Sequence, residues 1–329
     1  MTEDPIVFEV DTSEAGQRLD RILAGRFPEV SRSQVQRAFA AEQVTVDGQP
    51  RPKSYKPLEG CTVSLTPFQV TSLDAQPEDI PLSIIYEDEH LLVVNKAPNM
   101  VVHPAPGHPG GTLVNALLHH NKALADTGDP LRPGIVHRLD KETSGLLVVA
   151  RSAEAHRTLA AQLKDRTLGR IYLALSWGDW REPEGILRGN LGRHLRDRQR
   201  QAVLPRGGRE AATRYKVIEE LSFVQLCQVQ LETGRTHQIR VHFAHHGHPV
   251  VGDPLYGDDR RGRNVRPVDR QAAARLVAAA PRQLLHAAEL HLLHPADGKL
   301  MEFQAPLPDD FTHALDQLRK DLGRDSTPA

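Results

Sequence analysis

Apolar and polar positions alternate along the chain in two different rhythms. From Gly16 the residues Leu19, Ile22, Leu23 and Phe27 recur at helical spacing. Ser31 is placed to cap a second helix, whose inner face is Val35, Ala38 and Phe39. VTVDGQ then reads as a strand entering an Asp-Gly turn, and CTVSL as another strand. A Pro-containing acidic connector, TSLDAQPEDIPLS, marks a boundary. Beyond it short β-rich runs take over: SIIYED, LLVVNKA, MVVHP, GLLVVARS, GRIYLALSWG, TRYKVIEEL, FVQLCQVQLET and HQIRVHFAHH. Helical segments such as TLVNALLHHN and AEAHRTLAAQLKD interrupt them. Strands at this density with few helices predict an α+β fold on a mixed, mostly antiparallel sheet. The expected divisions are an acidic N-terminal segment (1–15), a small helix-helix-strand domain (16–75), a main domain (76–310) and a C-terminal tail with a helical stretch (311–329).

Composition narrows the class. Of 329 residues, 39% are hydrophobic and 25% charged, as in a soluble globular protein. No apolar run approaches the roughly 18 residues of a membrane span. The opening MTEDPIVFEVDTSEAG has neither the basic nor the apolar block of a signal peptide, so a cytoplasmic protein is expected. Cys61 and Cys227 are too few for a disulfide framework or a zinc set. The histidines His242, His245, His246 and His248, and the pair His119 and His120, have no Cys or carboxylate at ligand spacing, and no metal is expected. No long apolar stripe is left for an obligate interface, which predicts a monomer.

The net charge of −1 conceals a segregation. Residues 1 to 15 and 72 to 90 carry acids and no Lys or Arg, whereas residues 16 to 56 hold Arg18, Arg21, Arg26, Arg32, Arg37, Arg51, Lys53 and Lys56. Residues 188 to 216 form a second basic stretch, including Arg196, Arg198 and Arg200, with interleaved glycines that suggest a mobile loop. Its sign bias favours RNA contact over a solvated hairpin. Arg260, Arg261, Arg263 and Arg266 make a smaller cluster.

Two segments carry candidate chemistry. GIVHRLDKETSGLLVVAR sets Asp140 in a tight loop that feeds a buried strand, where a carboxylate is either paired with Arg138, capping the turn, or used. In LETGRTHQIRVHFAHH, period-2 alternation from Thr236 puts Gln238, Arg240 and His242 on one strand face, a poor core surface but a good polar wall.

In order and spacing, HRLDKETSG, IYLAL, LETGRTHQIRVH and GDPLYG resemble the RluA-type pseudouridine synthases. RLDRxLxxxFPxxSRSxxQRxxxxxxVxVDG resembles the S4 domain, a small RNA-binding fold; the less favoured reading of the same stretch is two amphipathic helices with solvated arginines. The resemblance implies an S4-like RNA-binding domain followed by a pseudouridine synthase domain. It also implies isomerisation of uridine in RNA, with large-subunit rRNA or a pre-ribosomal particle as partner and the helix 69 stem-loop as target. No cofactor is implied, and the sequence holds no P-loop, HExxH or Rossmann fingerprint. By the same resemblance Asp140 is the catalytic aspartate, Tyr172 the active-site tyrosine, Arg240 the partner that keeps Asp140 ionised and oriented, and Arg138 the cation that helps extract the target nucleotide. His137, Gln238 and Arg235 are expected to contact substrate. One motif departs from the family: NKAPNMVVHP stands where NKPAGLVVHP is usual, moving the proline to Pro98 and placing Asn99 at the glycine, a residue that tolerates the left-handed conformation. Two other classes fit the residues less well: an RNA-cleaving hydrolase using His137, His237 or His242, and an RNA-binding factor in which Asp140 is a structural ion pair.

Overall fold

The helical spacing from Leu19 is realised in α1 (Leu19–Arg26), whose buried residues are Leu19, Ile22 and Leu23. The computed structural model describes residues 5–27, 35, 38–66, 75–104, 108–122, 124, 132–197, 199–257 and 265–324. It divides into two units, Met1–Asp74 and Ala75–Ala329.

In the first unit α1 packs on a four-stranded antiparallel sheet of β1 (Ile6–Glu9), β2 (Val44–Val46), β3 (Gln49–Pro50) and β4 (Thr62–Leu65), in the order β1-β4-β2-β3. Asp47 and Gly48 both take positive φ, 51° and 73°, the conformation that a two-residue hairpin of this sequence requires. The acidic N-terminal segment is not separate. Ile6 to Glu9 pair with Leu65 to Thr62, the apolar run Ile6, Val7 and Phe8 adding an edge strand to the sheet although acids flank it. The Ser31 cap lies outside the described residues, although Val35 and Ala38 are buried as the helical reading requires.

The second unit is built on a ten-stranded sheet. Its strands are β5 (Ile84–Glu87), β6 (Leu91–Lys96), β7 (Ser144–Ala150), β8 (Gly169–Trp177), β9 (Glu184–Arg193), β10 (Gln201–Leu204), β11 (Arg209–Leu221), β12 (Val224–Leu231), β13 (Leu285–Leu293) and β14 (Leu300–Gln304). The order is β10-β9-β11-β12-β8-β13-β7-β6-β5, with β14 on β13. Every pair is antiparallel except β13 with β7, so the sheet is mixed and mostly antiparallel. The parallel contact is tight: Gly145, at φ 110°, lies where a Cβ would sit 2.2 Å from the Ala287 carbonyl oxygen. Helices α2 (Leu113–His120), α3 (Ala153–Asp165), α4 (Gln238–His245), α5 (Arg270–Ala279) and α6 (Asp309–Asp321) complete the unit. Thr112 and Ser152 cap α2 and α3 through their hydroxyls. No helix among the described residues is long and apolar enough to cross a membrane.

Four expectations change. MVVHP is not a strand: Asn99 turns the chain at φ 61°, and the carbonyls of Val101 and Val102 then accept from Leu113 and Val114 at the start of α2 rather than from a sheet. The basic stretch 188 to 216 is not a loop but β9, β10 and the start of β11. Gly189 and Gly192 are strand residues where neighbouring side chains close in, a Cβ on Gly192 lying 2.5 Å from Leu204 Cδ1, whereas Gly207 and Gly208, at φ 74° and 77°, turn the chain between β10 and β11. The segment from Gln238 is a helix. The C-terminal stretch is no tail, since Phe311, Ala314, Leu315 and Leu318 bury α6 against Leu276 and Leu284. Phe311 is 0% exposed, so Phe311→Ala should destabilise the protein by about 3–5 kcal/mol in urea unfolding. A loss below about 1 kcal/mol would mean that α6 is not part of the core.

Candidate active site

The Asp140 loop is fixed from both ends before β7 begins. Upstream, the buried ammonium of Lys96 donates to the carbonyls of Ala97 at 2.7 Å, Met100 at 3.0 Å and Lys141 at 3.1 Å. Burial, followed by the charge of Arg282, pushes Lys96 down to about 7. Downstream, Arg282 donates to the Glu142 carbonyl at 2.8 Å and forks onto Asp310 at 2.6 and 2.8 Å. The Thr143 N–H closes the turn on the Asp140 carbonyl at 3.1 Å. Asp140 is therefore held at the sheet edge, half-buried and facing a cleft of about 320 Å³.

The opposite wall comes from the turn after β12 and from α4. His237 starts α4 in the left-handed conformation at φ 56°. Period-2 alternation fails here because Gln238 to Phe243 are all buried; a helix covered on every side shows no polar stripe, and the alternating Ile239, Val241 and Phe243 imitate a strand. The predicted shared face does not exist. Gln238 holds the turn: its carbonyl oxygen accepts from Thr233 Oγ1 and Arg235 N, and its amide nitrogen donates to Ala212 O and Thr213 Oγ1, so no valence is left for a substrate. His242 is buried against Thr213 Oγ1 at 2.8 Å.

Arg240, 5% exposed, points the other way and joins the walls. Its Nη1 donates to Asp140 Oδ2 at 2.9 Å, while Nε and Nη2 fork onto Asp253 at 2.6 and 2.9 Å. Asp253 Oδ1 also accepts from the N–H groups of Leu255 and Tyr256, in the GDPLYG turn. Burial opposes the Arg240 charge, but the hydrogen bonds and charge of Asp253, and then Asp140, outweigh it and raise its pKa. Asp253 was missed because GDPLYG reads as a turn; its signal is a carboxylate in a motif of fixed order. The Tyr256 ring lies over Arg240, 5.1 Å from its centroid, and its hydroxyl accepts from Gln201 N at 2.7 Å and bonds His237 Nδ1 at 2.8 Å. His237 Nε2 stands 4.0 Å from Asp140 Oδ1.

Tyr172 of β8 is buried on the cleft, where burial pushes its hydroxyl up. His137 is a buried lining residue whose Nε2 accepts from Val148 N at 3.3 Å. Burial, then the charge of Arg170, holds it at about 3, hence neutral. Arg138 is exposed at the mouth, and Arg235 lines the cleft while donating to the Glu210 carbonyl at 3.1 Å.

The remaining basic candidates among the described residues are not part of the cleft lining. Arg18 is forked onto Asp20 at 3.0 and 2.8 Å, so much of its charge is spent, and Arg21 is exposed on α1. Arg196 is exposed beyond β9, and Arg200 lies over the Tyr256 ring at 5.3 Å. Arg32, Arg37 and Arg198 lie outside the described residues, as do Arg260, Arg261 and Arg263.

The sequence pattern of the RNA pseudouridylate synthase family matches residues 90–245, a span that contains Asp140, Tyr172 and Arg240. Ribosomal large subunit pseudouridine synthase D of Pseudomonas aeruginosa is 45% identical over 316 residues, covering 95% of each chain. The chain belongs to the RNA pseudouridine synthases. It is an isomerase of RluA type. An uncharacterised RNA pseudouridine synthase of Chloroflexus aurantiacus is 47% identical over 315 residues, covering 95% of this chain and 93% of the other. Among solved structures, human RNA pseudouridylate synthase domain containing 1 superposes on 80% of this synthase and 100% of its own chain, with a TM-score of 0.53 and 27% identity.

The geometry of this pseudouridine synthase makes two predictions. Asp253→Ala leaves the buried Arg240 with Asp140 alone and should cost about 3–5 kcal/mol in urea unfolding; an unchanged midpoint would show that the fork is dispensable. Acid should also weaken the fold early. Burial holds His137 at about 3, and His242 and His286 at about 4, below the ordinary 6.5. Depressed histidines contribute stability that is fully present above 6.5 and lost as pH falls. The unfolding free energy should therefore drop between pH 6.5 and 4.5, by up to about 1.4 kcal/mol per pH unit for each histidine, before Asp253 and Asp310 titrate. A flat profile across that window, followed in urea melts, would contradict their burial as neutral groups.

Proposed function

We propose that this synthase converts specific uridines of large-subunit rRNA to pseudouridine, with Asp140 as nucleophile or base and without a cofactor. Asp140 is the one carboxylate lining the cleft among the described residues, facing Arg132, Arg138, Arg170, Arg235 and Arg240; this single observation carries the assignment of its role. A cleft so charged suits a polyanion, and one carboxylate within it suits chemistry at the sugar or base. Isomerisation breaks the N1–C1′ bond, joins C5 to C1′, loses the C5 proton and protonates N1. Atoms and electrons balance with no co-reactant. Tyr172 offers an aromatic face to the uracil, and Arg138, exposed at the mouth, is placed to fill the gap left by an extracted nucleotide.

The choice of large-subunit rRNA, and of the helix 69 stem-loop within it, is supported by the similarity to synthase D. The N-terminal unit is read as an S4-like RNA-binding module, supported by its α1 and four-stranded sheet and by exposed Arg21. The enzyme is read as a cytoplasmic monomer that meets rRNA or a pre-ribosomal particle.

Purified protein and its Asp140→Asn variant, each incubated with unmodified large-subunit rRNA, are compared by carbodiimide treatment and primer extension. The wild type should create new stops, concentrated in helix 69, and the variant none while it binds the RNA within about threefold of wild type. Equal stops with both proteins would remove Asp140 from the chemistry. Binding without stops by the wild type would favour a non-catalytic RNA-binding factor.

A further inference from the structure

The buried cations of the catalytic unit have partners, with one exception. Lys96 is held by three carbonyls, Arg240 by two carboxylates and Arg282 by Asp310 and carbonyls. Arg170 is 8% exposed, yet among the described residues it makes no hydrogen bond or ion pair, and its buried Nε has no acceptor. A buried guanidinium nitrogen without an acceptor is unfavourable to the fold. Such a charge is kept where something else needs it.

Its position says what that is. Arg170 and Tyr172 are two residues apart on β8, so their side chains leave the same sheet face about 7 Å apart, and both line the cleft. The terminal nitrogens lie beside the turn before α4, where a Cβ on Gly234 would sit 3.3 and 3.5 Å from them; glycine leaves that space open. On its other side stands His137, which the buried positive charge helps to keep neutral. The cations suited to the sugar-phosphate backbone are elsewhere: Arg132 and Arg138 are exposed at the cleft mouth. A flipped nucleotide delivers its base inward and leaves its phosphates outside. The group that reaches Arg170 is thus the base stacked on Tyr172.

We propose that Arg170 is a further catalytic residue, a fixed cation that stabilises the negative charge collecting on uracil as the N1–C1′ bond breaks. This rests on the pseudouridine reading above. When that bond breaks, its electron pair leaves with N1, and the resulting uracil anion spreads its charge over N1, O2 and O4. A guanidinium already oriented in a water-poor cleft offers donors to those oxygens without reorganising. The charge is discharged when C5 attacks C1′, the C5 proton leaves and N1 takes up a proton. Arg170 accepts no electrons and gives up no proton.

The experiment measures single-turnover pseudouridine formation at saturating RNA, RNA affinity and thermal unfolding for the wild type, Arg170→Lys, Arg170→Met and Arg170→Ala. Wild type against Asp140→Asn in the same assay reports separately on the parent reading. Arg170→Met should lower the rate about 10²–10³-fold with RNA Kd changed less than about threefold, and Arg170→Lys should keep part of the rate. Because Arg170 has no hydrogen-bond or ion-pair partner among the described residues, Arg170→Met should melt no earlier than wild type. Guanidinium at millimolar concentration should restore part of the Arg170→Ala rate, and equimolar urea, its neutral analogue, should not. A weakened Kd with an unchanged rate would make Arg170 a phosphate contact and overturn the proposal. So would an unchanged rate, equal rescue by urea, or a large loss of thermal stability in Arg170→Met, each of which assigns the side chain to the fold.

Discussion

One guanidinium between two carboxylates sets the geometry on which the rest of this site depends. Arg240 reaches Asp140 on one wall and Asp253 on the other, and each carboxylate belongs to a turn with its own backbone closure. The Asp140 loop is thereby brought, across 100 residues, to the Arg240–Asp253 pair. Burying three charges is unfavourable unless their hydrogen bonds are made, and here Asp253 receives two N–H groups in addition to the fork. The short helix that carries Arg240 is covered on all sides, so the guanidinium has little freedom to leave. Gln238, with every amide valence used inside the protein, serves the same end by fixing the turn from which the helix starts.

The cleft around this clamp has a consistent electrostatic layout. Among the described residues, exposed arginines lie at the mouth, neutral His137 and the unpaired Arg170 deeper in, and a single carboxylate between them. His137 and His242, which in sequence compete as acids and bases for RNA cleavage, are held neutral by burial, and His242 is turned toward Thr213. Neither can supply an imidazolium near neutral pH.

Much of this was legible in the sequence, and the failures have physical causes. The HRLD turn and the apolar run after it place Asp140 at the mouth of β7, as the spacing predicts. The Asp-Gly hairpin, α1 to α3 and most strands of the large sheet follow from periodicity. The α4 segment did not, because periodicity reports contrast between a wet and a dry face and this helix has no wet face. The strands β9 and β10, in the arginine-rich stretch, were hidden because solvent-facing strand positions and loop positions have the same composition. Asp253 and Arg170 escaped notice for opposite reasons. One looked like turn chemistry, and the other looked like an ordinary charged residue at a strand start until the fold showed it buried. The pairing of Asp140 with Arg240 across 100 residues leaves no trace in periodicity or composition; it was expected from the family resemblance alone, and the structure has it.

That separation also orders events in time. Ribosomes add roughly 5–20 residues per second, so a growing chain carries Asp140 for on the order of ten seconds before Arg240 exists to meet it. The carbonyl of Glu142 waits longer still, 140 residues for Arg282, whose own carboxylate partner follows 28 residues later. Until then the loop before β7 lacks its clamps. The N-terminal unit, Met1–Asp74, is thus fully synthesised well before the cleft has the side chains that close it.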